Sequence, residues 1–187
     1  MVSLLLSLNL FSTPLYSIPN GNWATDCVSG VERRQSYVSN FVRTEETFFT
    51  TLNCEQPNVR FITTGHVHAV TPDPHSEYRK INFTYQQVDL SLHRAELVSH
   101  FNQRRVCGFS DWQLNEPKEI TGLNCELFQT GTVTRVAAAG DRRYGIYAIE
   151  GDRLYYGQLS ISTDGSSEDK RPKVLNRTIV YTFQNSL

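Results

Sequence analysis

The chain has 187 residues, enough for one domain or at most two small ones. Its net charge of −1 excludes a nucleic-acid binder that relies on a strongly basic surface, and 39% hydrophobic residues argue against wholesale disorder. Aromatic residues make up 11% of the sequence and Thr and Val are frequent, which favours strands. We therefore expect a mostly β protein.

The N-terminal segment, residues 1–17, has the pattern of a secretory signal peptide. Residues 2–11 are apolar but too few to span a bilayer as a helix; small residues follow this run, and Ser17 is the expected cleavage position. Because no Lys or Arg precedes the apolar run, a first helix or strand buried in the fold is the alternative. We expect residues 18–187 to form the mature domain of a secreted, periplasmic or cell-surface protein without a transmembrane segment.

The first half of the mature chain contains several segments of alternating character. Residues 58–70 show this best, because Val59, Phe61 and Val67 share one face of the predicted strand. The other predicted strands in this half are residues 36–42, 46–52 and 77–90.

Residues 90–107 differ from the segments around them. Leu92, Ala95 and Phe101 recur at helical spacing, and the segment contains no Gly or Pro. The pattern predicts one amphipathic helix of three to four turns inserted between strands.

Strands resume in the second half, where the clearest hairpin flanks the turn at Gly151 and Asp152. Eight to ten short strands and one helix together indicate a closed antiparallel barrel or a sandwich. The predicted strands here are residues 126–129, 132–138, 144–150 and 153–160, with a closing strand at residues 177–183.

Four cysteines, Cys27, Cys54, Cys107 and Cys125, are typical of an exported chain with two disulfides. No C-x-x-C pair occurs, which argues against a zinc knuckle or a thioredoxin-type site. Of the three possible connectivities we favour Cys27–Cys54 with Cys107–Cys125, because the members of each pair are close in sequence and the pairs do not interleave. Four reduced, buried thiols are the alternative.

Gly21-Asn22-Trp23 matches the G-x-W that begins the first strand of lipocalins and avidin-like barrels. A wider set of residues resembles the domain of the adenomatosis polyposis coli down-regulated proteins, and the C-terminal part looks like the end of bacterial lipocalin-like proteins. The matching residues are Gly21, Trp23, Cys27, Cys54, Pro57, Gly65, Cys107, Gly108, Trp112 and Cys125.

This resemblance implies a closed antiparallel lipocalin-like barrel of about eight to ten strands with one inserted α-helix, an apolar cavity, and Gly21 and Trp23 as a plug at its closed end. The animal members bind lipids and lipid-modified signalling proteins of the Wnt class. We expect one domain here where they carry two, and no C-terminal anchor, so Wnt inhibition is not carried over. Binding of a hydrophobic small molecule or a lipid-modified protein is.

Aromatic residues at alternating strand positions are the candidate ligand-binding residues. An inward aromatic face of a small barrel either packs solid or lines a pocket, and the sequence does not fix which face is inward. We expect a non-enzymatic binder of a hydrophobic ligand; the alternative is a structural or protein-interaction module with a solid core. The candidates are Phe49, Phe61, Phe83, Tyr85, Tyr147 and Tyr155.

Catalytic and metal chemistry have little support in the sequence. His66 and His68 share a strand face about 7 Å apart, but a metal needs at least a third ligand, such as His75, Glu77 or His93. The sequence also contains no G-x-S-x-G and no Gly-rich phosphate loop. We therefore expect no enzyme activity, no metal and no cofactor.

Overall fold

The computed structural model describes residues 18–69, 77–127 and 131–185. Within this part the chain forms eleven strands and one α-helix, α1 (Ala95–Arg104). The strands are β1 (Gly21–Ala24), β2 (Val31–Val38), β3 (Phe41–Phe49), β4 (Pro57–Ala69), β5 (Arg79–Leu92), β6 (Lys118–Glu119), β7 (Asn124–Cys125), β8 (Thr134–Arg135), β9 (Arg142–Glu150), β10 (Arg153–Tyr156) and β11 (Tyr181–Gln184).

Eight of the described strands close into an antiparallel barrel, in the order β1-β2-β3-β4-β5-β9-β10-β11, with β11 pairing back to β1. The predicted fold class, a mostly β closed barrel with one helix, is confirmed. The expected signal peptide, residues 1–17, lies outside the described residues. In the described ranges, α1 is far too short and polar to cross a bilayer, and no other helix reaches that length either.

The barrel wall differs in height around its circumference. β4 has 13 residues and β5 has 14, and the two pair along almost their whole length. On the opposite side β1, β10 and β11 have four residues each. The barrel therefore has a tall wall at β4–β5 and a low wall at β10, β11 and β1.

The helix predicted at residues 90–107 is present, but it begins at Ala95, five residues later than predicted. Leu90 and Leu92 belong to β5, where they pair with Phe61 and Val59 of β4. The apolar face that resembled the first helical turn is thus the end of a long strand. The helix ends where Arg105 adopts a left-handed conformation, with φ of 50°.

Several further strand predictions were wrong in detail. The strand predicted at residues 46–52 ends at Phe49, that at 153–160 ends at Tyr156, and that at 177–183 begins only at Tyr181. Residues 36–42 are not one strand, because Ser39 takes a φ of 57° in the turn that separates β2 from β3. Residues 132–138 form only the two-residue strand β8, which pairs with β7 outside the barrel. In the predicted strand at residues 126–129, Glu126 and Leu127 belong to no strand, and positions 128 and 129 lie outside the described residues.

The buried side chains form two clusters. One, the barrel core, fills the barrel at the end where β1 begins and consists of Trp23, Tyr37, Val42, Val67, Ile81, Tyr147, Leu154 and Tyr181. The other, the helix-side core, lies where α1 and the chain after it pack against the ends of β4 and β5; it consists of Val59, Val88, Leu90, Leu92, Phe101, Val106, Trp112, Ile120 and Cys125.

The four cysteines form the two predicted disulfides. Cys27–Cys54 joins the β1–β2 connection to the β3–β4 connection, with a Cα–Cα distance of 5.9 Å. Cys107–Cys125 joins the chain after α1 to β7, with a Cα–Cα distance of 4.3 Å, and Cys125 is buried in the helix-side core. The first disulfide therefore links two connections of the barrel, and the second holds the chain that follows α1 against β7.

Trp23 lies inside the barrel, where only 4% of its surface is exposed. Its indole Nε1 donates a hydrogen bond of 2.8 Å to the Pro19 carbonyl, and its ring packs edge-on against Phe183. Gly21 has a φ of 107°, and a Cβ at this position would collide with the Phe183 ring. Gly21 and Trp23 thus lie at the end of the barrel that the core fills, and the plug role remains a prediction.

Candidate functional site

A cavity of about 560 Å³ occupies the barrel interior between the barrel core and the low wall. Val42, Val67 and Ile81 belong both to the barrel core and to the lining of this cavity. The connection between β10 and β11 contributes Leu159 and Ile179 to its rim. The volume lies within the range of sites that hold small molecules.

The strand register decides which residues face this cavity. Tyr37, which is buried in the barrel core, lies opposite Val42, and Val42 lies opposite Gly65 on β4. Because side chains alternate along a strand, odd positions on β2 and β4 and even positions on β3 point inward. A bulge in β5 at Gln86 then keeps both Tyr85 and Val88 on the inner face.

One side of the cavity, the apolar wall, is formed by Val42, Val67, Ile81, Phe83 and Tyr85. The Phe83 and Tyr85 rings pack edge to face, with their centroids 4.6 Å apart. Gly65 makes room for them, because a Cβ there would lie 2.6 Å from an atom of the Phe83 ring. The sequence thus places a glycine opposite Tyr85, beside the two aromatic rings of this wall.

The other side, the polar wall, is formed by Arg33, Gln35, Tyr37, Glu46, Tyr156 and Tyr181. The Tyr37 hydroxyl donates to Gln35 Oε1 at 2.9 Å and lies 2.5 Å from the Tyr156 hydroxyl. The Tyr156 hydroxyl also contacts Gln35 Oε1, while the Gln35 side chain bonds to Tyr181. Four side chains from β2, β10 and β11 therefore form one hydrogen-bonded network.

The electrostatic state of the polar wall is neutral. Burial raises the pKa of the Tyr37, Tyr156 and Tyr181 hydroxyls above the ordinary tyrosine value, so all three are protonated at neutral pH. Arg33 Nε donates to Glu46 Oε1 at 2.8 Å, which compensates both charges. The side chain of Glu46 remains 43% exposed, so solvent reaches the ion pair.

Two predicted ligand-binding residues, Phe83 and Tyr85, line the cavity. Phe61 also points inward, from β4, but it lies nearer the helix. There it lines a second cavity of about 290 Å³ between α1 and the tall wall. Tyr147 points inward but is 1% exposed in the barrel core, below the cavity.

The structure places the other two predicted ligand residues, Phe49 and Tyr155, outside the barrel. Phe49 follows Phe48, which packs inward against Phe61, and it lies in a shallow outer pocket beside Pro57. Tyr155 lies on the outer face under the Arg177 guanidinium, 4.7 Å from the ring centroid. On β10 the inward-facing tyrosine is Tyr156 and not its neighbour Tyr155, which the sequence analysis had chosen.

The polar wall is the part of the cavity that the sequence did not reveal. Arg33, Gln35 and Tyr37 alternate on β2, a spacing that would place them on one face of a strand. Polar side chains on a strand normally indicate a solvated face, so this alternation carried no sign of an interior. Tyr181 lies in a strand of four residues, too short for alternation to orient it.

The connection between β10 and β11 adds to the low wall and is held in place by hydrogen bonds of one buried arginine. Arg171 in this connection is 6% exposed. Its guanidinium donates to the backbone carbonyls of Gly145 at 2.6 Å and Ile81 at 3.1 Å, and to Asn82 Oδ1 at 2.7 Å. A buried arginine therefore fastens the rim of the cavity to β5 and β9.

The histidines considered as metal ligands do not come together. His66 and His68 are exposed on the outer face of β4, and His93 Nδ1 lies 2.8 Å from Asn115 Oδ1 at the far end of β5. His75 lies outside the described residues. In the described ranges no group of three or more potential metal ligands occurs.

No family model matches the sequence, and no curated protein matches it either.

Proposed function

We propose that the protein is a secreted, non-enzymatic binder that holds a hydrophobic or amphiphilic ligand in the barrel cavity. The observation that carries this proposal is the cavity of about 560 Å³, with aromatic and aliphatic residues along one side. The acyl chain of a lipid or of a lipid-modified protein is the kind of ligand that this lining accommodates.

Small side chains at mid-height support a cavity over a solid core. Thr44 and Thr63 lie opposite each other on β3 and β4 and both face inward, and Gly65 follows on the same face. A barrel of eight strands has room for interior side chains or for one small ligand. These short residues leave the space that Phe or Leu would fill in a solid barrel.

The apolar wall supplies the driving force for binding. Each methylene group that moves from water to the neighbourhood of Phe83 and Tyr85 contributes about 0.8 kcal/mol. A chain of several methylenes therefore offsets the loss of translational freedom without any specific contact.

The disulfides support the proposed extracellular location. Cys27–Cys54 and Cys107–Cys125 account for all four cysteines of the chain, and such bonds persist mainly in oxidising compartments. The resemblance to the adenomatosis polyposis coli down-regulated domain points the same way, toward a secreted lipid-binding barrel.

Native mass spectrometry of the purified protein, before and after extraction with organic solvent, tests this function. We expect one bound hydrophobic molecule per chain, which extraction removes and which rebinds on incubation. Folded protein that carries no ligand and also fails to bind a neutral apolar probe would contradict the proposal. That result would favour an interaction module.

A further inference from the structure

In the polar wall, three oxygen atoms are in mutual contact, but only two protons are present to form hydrogen bonds between them. The Tyr37 hydroxyl, the Tyr156 hydroxyl and Gln35 Oε1 are in mutual contact. Each hydroxyl carries one proton and the amide oxygen carries none, so two protons serve three oxygen–oxygen contacts. Whichever way the two hydroxyls turn, one contact has no proton between its oxygens.

The neighbouring groups do not supply the missing donor. The amide group of Gln35 is engaged with Tyr181, and Arg33 pairs with Glu46. Both hydroxyl protons are thus used within the group, which keeps free lone pairs but offers no free proton, so a ligand group that donates is favoured over one that only accepts.

The polar wall is also poorly suited to an anion. Its three tyrosines remain protonated because burial raises the pKa of each hydroxyl. Its guanidinium, that of Arg33, is already compensated by Glu46. A carboxylate would bring a negative charge and no proton to a group of oxygens, and it would lose its hydration on the way.

We propose that the polar wall selects a neutral hydroxyl headgroup, so that the cavity binds alcohol-headed amphiphiles with the hydroxyl at Tyr37 and Tyr156 and the hydrocarbon along Phe83 and Tyr85. This inference rests on the proposed function and specifies its ligand class. The ligand hydroxyl donates to a free lone pair of the three-oxygen group, whereas a carboxylate has no proton to donate.

A matched pair of ligands tests the selection: 1-decanol and decanoate, at neutral pH, each displacing the neutral fluorescent probe N-phenyl-1-naphthylamine. We expect the wild-type dissociation constant for decanol to be at least about fivefold lower than that for decanoate, the effect of one neutral hydrogen bond. Tyr37→Phe and, separately, Tyr156→Phe remove one oxygen and one proton from the three-oxygen group. Each should abolish the preference by weakening decanol binding.

Tyr155→Phe is the control, because it removes the same hydroxyl from the outer face of β10, next to Tyr156, and should leave the ratio unchanged. Equal affinities, or tighter binding of decanoate through Arg143, which also lines the cavity, would overturn the inference, while the bound probe leaves the proposed function standing. A preference that survives both Tyr37→Phe and Tyr156→Phe would also overturn it. Folded wild-type protein that binds neither probe nor ligand contradicts the proposed function itself.

Discussion

The hydroxyl oxygens of Tyr37 and Tyr156 lie 2.5 Å apart, although the residues are separated by 119 positions in sequence. Tyr37 is on β2 and Tyr156 is on β10, and β1 and β11 lie between these strands in the barrel. The contact therefore crosses the interior rather than following the sheet. It exists only when the barrel is closed, so the polar wall depends on the complete fold.

The buried tyrosines predict a loss of stability at alkaline pH. Burial raises the folded-state pKa of Tyr37, Tyr156 and Tyr181 above the unfolded value of about 10. Below about pH 10 both states are protonated and stability is unaffected; above it the unfolded chain releases these protons first, so the free energy of unfolding falls. Urea titrations between about pH 8 and pH 11 measure the decline.

Absorbance at 295 nm follows the same groups directly. In the folded protein Tyr37, Tyr156 and Tyr181 should remain protonated at about pH 10.5, where exposed tyrosines ionise. Tyr37→Phe should make the alkaline decline shallower. Ionisation of every tyrosine near pH 10 in the folded state would contradict the buried network.

Arg171 should be important for stability. Arg171→Met leaves the carbonyl oxygens of Ile81 and Gly145 without this donor in a buried position. We expect the free energy of unfolding to fall by about 2–4 kcal/mol. Chemical denaturation of the purified variant measures the loss.

Arg177→Met is the matched control for that change. Arg177 lies in the same connection and pairs with Glu150, but its side chain is 49% exposed. Its removal should cost much less stability than the removal of Arg171, because water screens an exposed ion pair. Equal losses for the two variants would show that Arg171 does not act through its buried contacts.

The two disulfides should stabilise different parts of the molecule. Replacing Cys107 and Cys125 with Ala opens an 18-residue separation and should lower stability by about 3 kcal/mol. Hydrogen exchange should then increase in α1 and its neighbours while the barrel core stays protected. The same replacement at Cys27 and Cys54 should instead expose the β1–β2 and β3–β4 connections. Identical exchange patterns would contradict this division.

Gly65 should tolerate no side chain. Gly65→Ala places a methyl group against the Phe83 ring and the Thr84 carbonyl, and we expect a loss of roughly 1–3 kcal/mol from overpacking. Gly145→Ala is milder, because its nearest neighbour is the Ile81 side chain at 3.3 Å. Thermal melts that rank the two variants in the reverse order would contradict the proposed spacing.

The sequence predicted the elements that depend on local patterns. The alternation of Val59, Phe61 and Val67 indicated a strand, and the spacing of the cysteines indicated the disulfide pairing that the structure confirms. The helix was also found, but its start was misplaced because Leu90 and Leu92 serve strand and helix patterns equally well.

The candidate site could be predicted only in part, because the register between strands decides which side chains point into the barrel. Phe83 and Tyr85 were identified from alternation, whereas Tyr155 was chosen over Tyr156 because either residue fits a strand face. The contact of Tyr37 with Tyr156 arises from barrel closure, which no local pattern encodes.

The dissociation constant of N-phenyl-1-naphthylamine for Thr63→Phe and Thr64→Phe tests the central claim most directly. Thr63 faces the cavity, whereas its neighbour Thr64 faces outward, so the same ring is added inside the barrel or outside it. We predict that Thr63→Phe weakens binding at least tenfold and that Thr64→Phe leaves it close to wild type. Equal binding by the two folded variants would contradict a ligand site in the barrel.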